Sequence, residues 1–403
     1  MMNRLLRHRQ IVALLLLIVV WNIRSAPPLI DAQSSVPLIL NLSVQDEQGV
    51  YQTDIYTWDE ASGSLIRRST WGYNYNLQLS PVNNQLVYTS TSSVEVEGRK
   101  VTGGGAGSSL NNLWLMDTLS GNASRVADQP PDAVFLHLNL KGIDRSDAVY
   151  SPDGTQIAWT EFDYPLPEED DMRLMIHDIQ QGVTRTVAEG LPTLLPKGDP
   201  ADVWWTNSGL AVGYYQCLGD PPCHLVSGLF VYDGNGNLLN DIVLRRDDED
   251  HPIVRQEQFV TYQGRDYLAQ YLEGSGWQLI DLLTGETSDA PAAPVAISRW
   301  QTSDQGIRIG FGIVNSYQRP IVLDANGEAF DIPVSAEDEY VLPQAISPEG
   351  DAFVYSIRTE SSGGLENNLY LWRDGNVTEI ISENGPFTVS QVLWSPLVWI
   401  IPE

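Results

Sequence analysis

The sequence predicts an all-β fold of the propeller class, and three observations carry that expectation. A turn-bearing stretch recurs: Tyr150–Glu161 (YSPDGTQIAWTE) has close copies at Leu79–Ser90 (LSPVNNQLVYTS) and Ile346–Ile357 (ISPEGDAFVYSI). Repetition at intervals of tens of residues sets an architecture before any local signal does. Turn anchors fall at Ser80, Ser151, Asn207, Gln263, Ser303, Ser347 and Ser395, which are 40 to 71 residues apart. Between them lie short runs with strand-like alternation, turn residues and little helical periodicity, the pattern of repeated four-stranded sheets.

The elements follow in order. Arg4, Arg7 and Arg9 precede an apolar run from Ile11 to Trp21, and small and polar residues come after it. A basic segment followed by so short an apolar one reads as a secretory signal occupying residues 1–32, cleaved after Ala32. An uncleaved anchor through residues 11–21, attaching the protein to a membrane, is the alternative. Both place the body, a single propeller domain over 37–400, outside the cytoplasm, periplasmic or secreted. Residues 37–70 give three strand-like runs, the outer three of a unit that lacks its first strand. Complete units follow over 73–127 and 133–189, weaker copies over 201–244, 253–287 and 294–333, and a last complete one over 340–382. The tail brings one more motif start, Val392-Leu393-Trp394-Ser395-Pro396, which supplies the strand missing from 37–70. Seven blades result, the ring closed by strands from both termini in one blade; six or eight are the alternatives. Closure removes the sheet edges that would otherwise invite aggregation.

Within each repeat Pro152 presets φ and Gly154 permits the positive φ of a tight connection. Tyr88, Trp159, Tyr215, Tyr271, Phe311 and Tyr355 occupy the equivalent second-strand position, where a large ring would pack between neighbouring sheets.

Ser151-Pro152-Asp153-Gly154 with Ile157-Ala158-Trp159, and Ser347-Pro348-Glu349-Gly350 with Phe353-Val354-Tyr355, resemble the WD40-like propeller repeat of the TolB type. Ser80-Pro81 with Leu86-Val87-Tyr88 is a further match, and Ser395-Pro396 begins another. Asn112–Asp117 and Asn368–Trp372 resemble that repeat's partner strand. The resemblance covers about half of the chain after residue 32 and implies the fold. It does not imply the function, because propellers host many unrelated activities. The α/β domain that precedes the propeller in TolB has no room here. Nor does any Gly-x-Ser-x-Gly nucleophile elbow occur, as an attached hydrolase domain would need.

Composition narrows the function. The 403 residues are 42% hydrophobic, enough for a core, and carry 52 acidic against 23 basic side chains, for a net charge of −29. A phosphate backbone needs a basic face, so nucleic acid is not an expected partner. Self-repulsion at this charge predicts a soluble monomer. Cys217 and Cys223 flank a Gly-Asp-Pro-Pro loop, and in an oxidising compartment they predict a disulfide pinching a hairpin tip.

No catalytic constellation stands out. The histidines after the leader, His137, His177, His224 and His251, lack metal-ligand spacing. Asp233-Gly234-Asn235-Gly236-Asn237 starts like a calcium loop, but Leu238 and Leu244 stand where glycine and glutamate are required, and a hairpin turn explains it better. Two acidic runs, Glu168-Glu169-Asp170-Asp171 and Asp247-Asp248-Glu249-Asp250, read as solvated loops and as weak calcium candidates. No cofactor is expected beyond that calcium. Asn41, Asn122 and Asn376 head glycosylation patterns. The sequence therefore predicts a non-catalytic exported scaffold that binds a protein or cell-envelope component. The alternative is a carbohydrate-active enzyme, a glycoside hydrolase or polysaccharide lyase, working through carboxylates in the channel.

Overall fold

The computed structural model of the chain describes residues 36–45, 51–69, 73–91, 111–133, 141–164, 172–192, 201–218, 224–246, 254–300, 308–314, 317–323, 329–331, 339–359, 368–382 and 387–402. Among the described residues every regular element is a β-strand. The strands group into antiparallel meanders of four, the unit from which propellers are built.

The first group holds β1 (Leu38–Gln45), β2 (Tyr51–Asp59) and β3 (Ser64–Arg67). The second is β4 (Asn74–Leu79), β5 (Gln85–Thr91), β6 (Asn111–Asp117) and β7 (Ala123–Ala127). In the third, the first strand is broken into β8 (Gly142–Arg145) and β9 (Val149–Tyr150), both paired to β10 (Gln156–Tyr164), with β11 (Met172–Asp178) and β12 (Val183–Leu191) beyond. The fourth is β13 (Val203–Thr206), β14 (Gly209–Leu218), β15 (His224–Tyr232) and β16 (Leu238–Arg246). Next come β17 (Val254–Tyr262), β18 (Arg265–Leu272), β19 (Gly276–Asp281) and β20 (Thr287–Asp289). They are followed by β21 (Val295–Ser298), β22 (Arg308–Val314), β23 (Tyr317–Leu323) and β24 (Ala329–Asp331). The last meander is β25 (Glu339–Ile346), β26 (Ala352–Thr359), β27 (Leu369–Arg373) and β28 (Asn376–Ile381), and the tail adds β29 (Phe387–Leu393) and β30 (Leu397–Ile400).

The tail serves two sheets. β29 lies antiparallel on β1, with Ile39 opposite Leu393 and Leu40 opposite Val392, so the first sheet runs β29-β1-β2-β3. This is the strand that the sequence leaves missing from residues 37–70. β30 has no counterpart in the sequence reading. It pairs antiparallel with β21 and meets β17 in parallel at Thr261 and Ile400, which joins two meanders into one nine-stranded sheet.

The recurring motif works through its serine. Ser151 Oγ donates to Asp153 Oδ1 at 2.6 Å and accepts from the Gln156 amide at 3.0 Å, while Gly154 sits at φ +68°. Ser347 repeats this: its Oγ donates to Asp351 Oδ1 at 2.8 Å and accepts from the Ala352 amide at 3.0 Å, with Gly350 at φ +66°. One buried hydroxyl thus replaces water for the turn's amides, which is what a buried connection requires.

Alternation along the strands sends apolar side chains into seams between successive sheets. Val87 and Leu113 meet Ile157 and Trp159; Phe162 and Leu174 meet Leu210 and Val212; Leu229 and Val231 meet Leu268 and Ile280. Leu38, Leu40 and Val392 close against Val354 and Leu371. Burial of each such side chain contributes about 1.5–3 kcal/mol. Tyr88, Trp159, Phe311 and Tyr355 are buried as expected. In β14 the buried ring is Tyr214, whereas Tyr215 is half-buried, a one-residue offset from the sequence reading. Tyr214 stacks on Phe230 with centroids 4.3 Å apart, and a Cβ on Gly228 would lie 2.4 Å from its hydroxyl. Tyr271 is likewise half-buried, packed on Trp277.

Candidate functional site

Among the described residues several buried charges hold sheets or their turns together. Glu161 receives Arg145 Nε and Trp159 Nε1, each at 2.9 Å, and the same guanidinium donates to the Asn111 and Asp128 carbonyls at 2.7 and 2.9 Å. Arg145 therefore ties the third meander to the second. Asp266 has the matching role between the fourth and fifth meanders, accepting from the Ser208 amide at 2.7 Å and from Thr261 Oγ1 at 2.9 Å. Asp54 accepts from Ser69 Oγ at 2.8 Å and from Arg67. Each is saturated by its neighbours, which leaves little to offer a ligand.

A different set converges at the first strands of adjacent sheets, which lie side by side. In β4 the register slips between Tyr75 and Gln78, and Asn76 takes up φ +54°. Asparagine tolerates the left-handed region better than most residues, and such a bulge re-aims a side chain out of the strand's regular alternation. Asn76 Nδ2 donates to Asp147 Oδ1, across to the next sheet. Asp147 occupies the gap between β8 and β9, where Ser146 Oγ accepts the Thr160 amide at 2.9 Å in place of a strand partner. Asp202 stands just before β13, on the sheet after that, its carbonyl accepting from the Gly213 amide at 3.1 Å. On the other side of β4, the Gln391 amide of β29 clasps the Leu77 backbone, accepting at 2.9 Å and donating at 2.8 Å. Four consecutive sheets thus contribute one polar side chain each: Gln391, Asn76, Asp147 and Asp202.

The electrostatics single out the two carboxylates. Burial first, and the Asp202 charge second, push the Asp147 carboxyl up to about 6 against the opposing pull of the Asn76 hydrogen bond. Asp202 is also raised, by the protein mass crowded around a side chain that still reaches solvent. No cation is among the causes acting on either group. The pair can hold a proton near neutrality, or accept a cationic or hydroxylated group.

The residues predicted from sequence lie elsewhere. Ser80, Pro81, Ser151, Pro152, Asp153, Gly154, Ser347, Pro348, Gly350, Ser395 and Pro396 lie in the connections between strands, with Ser395 Oγ donating to the Ile346 carbonyl at 2.9 Å. Cys217 lies near the end of β14, which forms a hairpin with β15, while Cys223 falls outside the described residues. Glu168, Glu169, Asp170, Asp171, Asp247, Asp248, Glu249 and Asp250 are outside them too, as are His137, His251 and Ser303. His177 is buried in β11 against Thr184 Oγ1 at 2.9 Å, and burial lowers its pKa. Asp233 Oδ1 accepts the Asn235 and Asn237 amides at 2.8 and 2.9 Å, a turn-capping arrangement. Among the described residues no three His, Cys, Asp or Glu side chains gather as metal ligands. Asn41, at 1% exposure, donates to the Asn74 carbonyl at 2.8 Å and is closed to glycosylation in the folded chain.

No family model matches the chain, and no curated protein does. Solved structures do resemble it. Acylaminoacyl peptidase from Pyrococcus horikoshii is 12% identical, with a TM-score of 0.46, over 86% of this chain and 51% of that one. The chain spans about half the length of that peptidase. TolB from Acinetobacter baumannii is 13% identical, with a TM-score of 0.37, over 91% of this chain and 83% of that one. An oligogalacturonate lyase solved with manganese is 15% identical, with a TM-score of 0.44, over 85% of this chain and 97% of that one.

Proposed function

We propose that residues 37–400 form a seven-bladed propeller, exported and non-catalytic, that binds a protein or other cell-envelope component at the ends of its first strands. The nine-stranded sheet reads as two blades bridged by β30, and β29 with β1–β3 reads as a further blade whose first strand comes from the tail. The basic and apolar segment over residues 1–32 supports export, by cleavage or as an anchor, and net charge supports a monomer. In an oxidising compartment Cys217 and Cys223 bridge the β14–β15 hairpin, and the two acidic runs take up calcium weakly if they take up any ion.

The observation that carries the binding reading is the convergence of Asp147 and Asp202, with Asn76, on adjacent first strands. Two carboxylates with no cation beside them among the described residues, on a chain of net charge −29, suit a lysine or arginine side chain of a partner. The test is capture from extracytoplasmic extract by the full chain and by an Asp147→Asn/Asp202→Asn variant. A partner retained by the first and lost by the second is the expected result. Equal retention by both removes this site from the reading.

A carbohydrate-active enzyme is the second reading, and one observation favours it. A carboxyl raised to about 6 keeps its proton long enough to act as a general acid beside a second carboxylate. Turnover of an envelope polysaccharide, lost in Asp147→Asn, would establish it and displace the scaffold.

A further inference from the structure

A cleft of about 390 Å³ opens between the fourth and fifth meanders, lined by residues of β15, β16, β17 and β18. It is separate from the Asp147 site and uses none of its residues. Its size suits a monosaccharide or a similar small molecule. The chemistry of its wall is unusual for this chain. Arg245 of β16 and Arg255 of β17 both line it, in a protein with more than two acidic side chains for every basic one. Arg255 Nη2 reaches Glu273 Oε2 at 2.8 Å, but both side chains are half exposed and the guanidinium has further N–H groups to give. Arg245 is exposed and forms no ion pair among the described residues. A bare guanidinium amid surplus carboxylate is positioned for an incoming anion.

The rest of the wall limits which anion. Glu257 accepts from Gln270 Nε2 at 2.6 Å across the β17–β18 pair, and Ser227 of β15 adds a hydroxyl. The Glu257 carboxylate repels a dianion such as phosphate, yet its second oxygen can accept from a ligand hydroxyl. Arginine matches a carboxylate in two parallel hydrogen bonds. We propose that this cleft binds a hydroxylated monocarboxylate of the acidic-sugar class, its carboxylate on Arg245 and Arg255 and its hydroxyls on Glu257 and Ser227.

The test is calorimetric titration of the full chain with sodium glucuronate, with glucose as the neutral counterpart. Arg245→Gln and Asp147→Asn are run beside the unaltered protein. Expected is millimolar binding of glucuronate, weaker by about tenfold or more in Arg245→Gln, since charge-assisted hydrogen bonds are the strong ones. Glucose should bind at least tenfold less well, and Asp147→Asn should leave glucuronate binding unchanged. The proposal is overturned by equal binding of the two sugars, by full binding in Arg245→Gln, or by no glucuronate binding at roughly tenfold above the millimolar range. Loss of binding in Asp147→Asn alone would assign the sugar to the other site, and would equally overturn it.

Discussion

Asp147 is a carboxylate that the fold makes less comfortable than the unfolded chain does, and replacing it with asparagine has a calculable effect. Its carboxyl titrates near 6 in the folded protein against an ordinary value of 3.8, with burial as the main cause and the Asp202 charge second. Between about pH 4 and pH 6 the folded state therefore holds a proton that the unfolded state has released. Stability must fall as pH rises through that window, and above it the whole penalty is in place. Two pH units at about 1.4 kcal/mol each bound the cost at about 3 kcal/mol. Asparagine keeps the shape and still accepts from Asn76 Nδ2, so the hydrogen bond is retained while the charge goes. The Asp147→Asn chain should be more stable by about 1–3 kcal/mol at pH 7, and the gain should shrink towards zero near pH 4. Urea midpoints for both proteins from pH 4 to pH 8 measure this directly, since other titrating groups cancel in the difference. A variant less stable at pH 7, or a gain that is the same at every pH, would refute the reasoning.

Other substitutions probe the elements that position the site. Gly154 combines φ +68° with a neighbour 2.4 Å from where a Cβ would go, Val82 Cγ2; Gly154→Ala should cost about 2–4 kcal/mol in urea, and adding Val82→Ala should recover some of it. Glu161→Gln leaves Arg145 charged at 3% side-chain exposure, so a loss of about 3–5 kcal/mol is expected from thermal or urea unfolding. Phe353→Ala removes a fully buried ring that touches Phe311, Tyr355 and Trp372, and should lower stability by about 3–5 kcal/mol by the same measure. Replacing Ser43 and Ser390, whose hydroxyls meet at 2.8 Å across β1 and β29, with alanine should cost less than about 1 kcal/mol, because the bond is solvent-exposed.

What can be read from the sequence is what local chemistry determines. The Ser-Pro-x-Gly turns are legible because the serine, the glycine and the following amides act within five residues of one another. The strand supplied by the tail is legible because residues 37–70 come one strand short. β30 is not, since Leu397–Ile400 carries no turn signal and owes its conformation to two sheets far away in sequence. The site is hidden for the same reason. Asn76 lies in β4, Asp147 between β8 and β9, and Asp202 just before β13, and only the side-by-side packing of their sheets brings them together. The one available signal is misfit: a second asparagine within Asn74–Leu79, and an acidic residue where the first strand of the third meander should continue. The acidic runs and the cysteine pair are the louder motifs in the sequence, and they draw attention away from these three residues.

The pairing of β29 with β1 has a consequence in time. A chain made or threaded N-terminus first presents β1, β2 and β3 at the outset, yet their fourth partner lies in Phe387–Leu393, about 340 residues later. Until those last residues emerge, Leu38, Leu40 and Leu42 have no Val392 or Trp394 to pack against, and one side of β1 has no hydrogen-bonding partner. The first sheet is therefore completed only when a strand about 340 residues further on is available, and until then one edge of β1 stays open. Such a delay makes this sheet a long-range one, whose completion closes a loop of about 340 residues and so belongs to the late steps of folding.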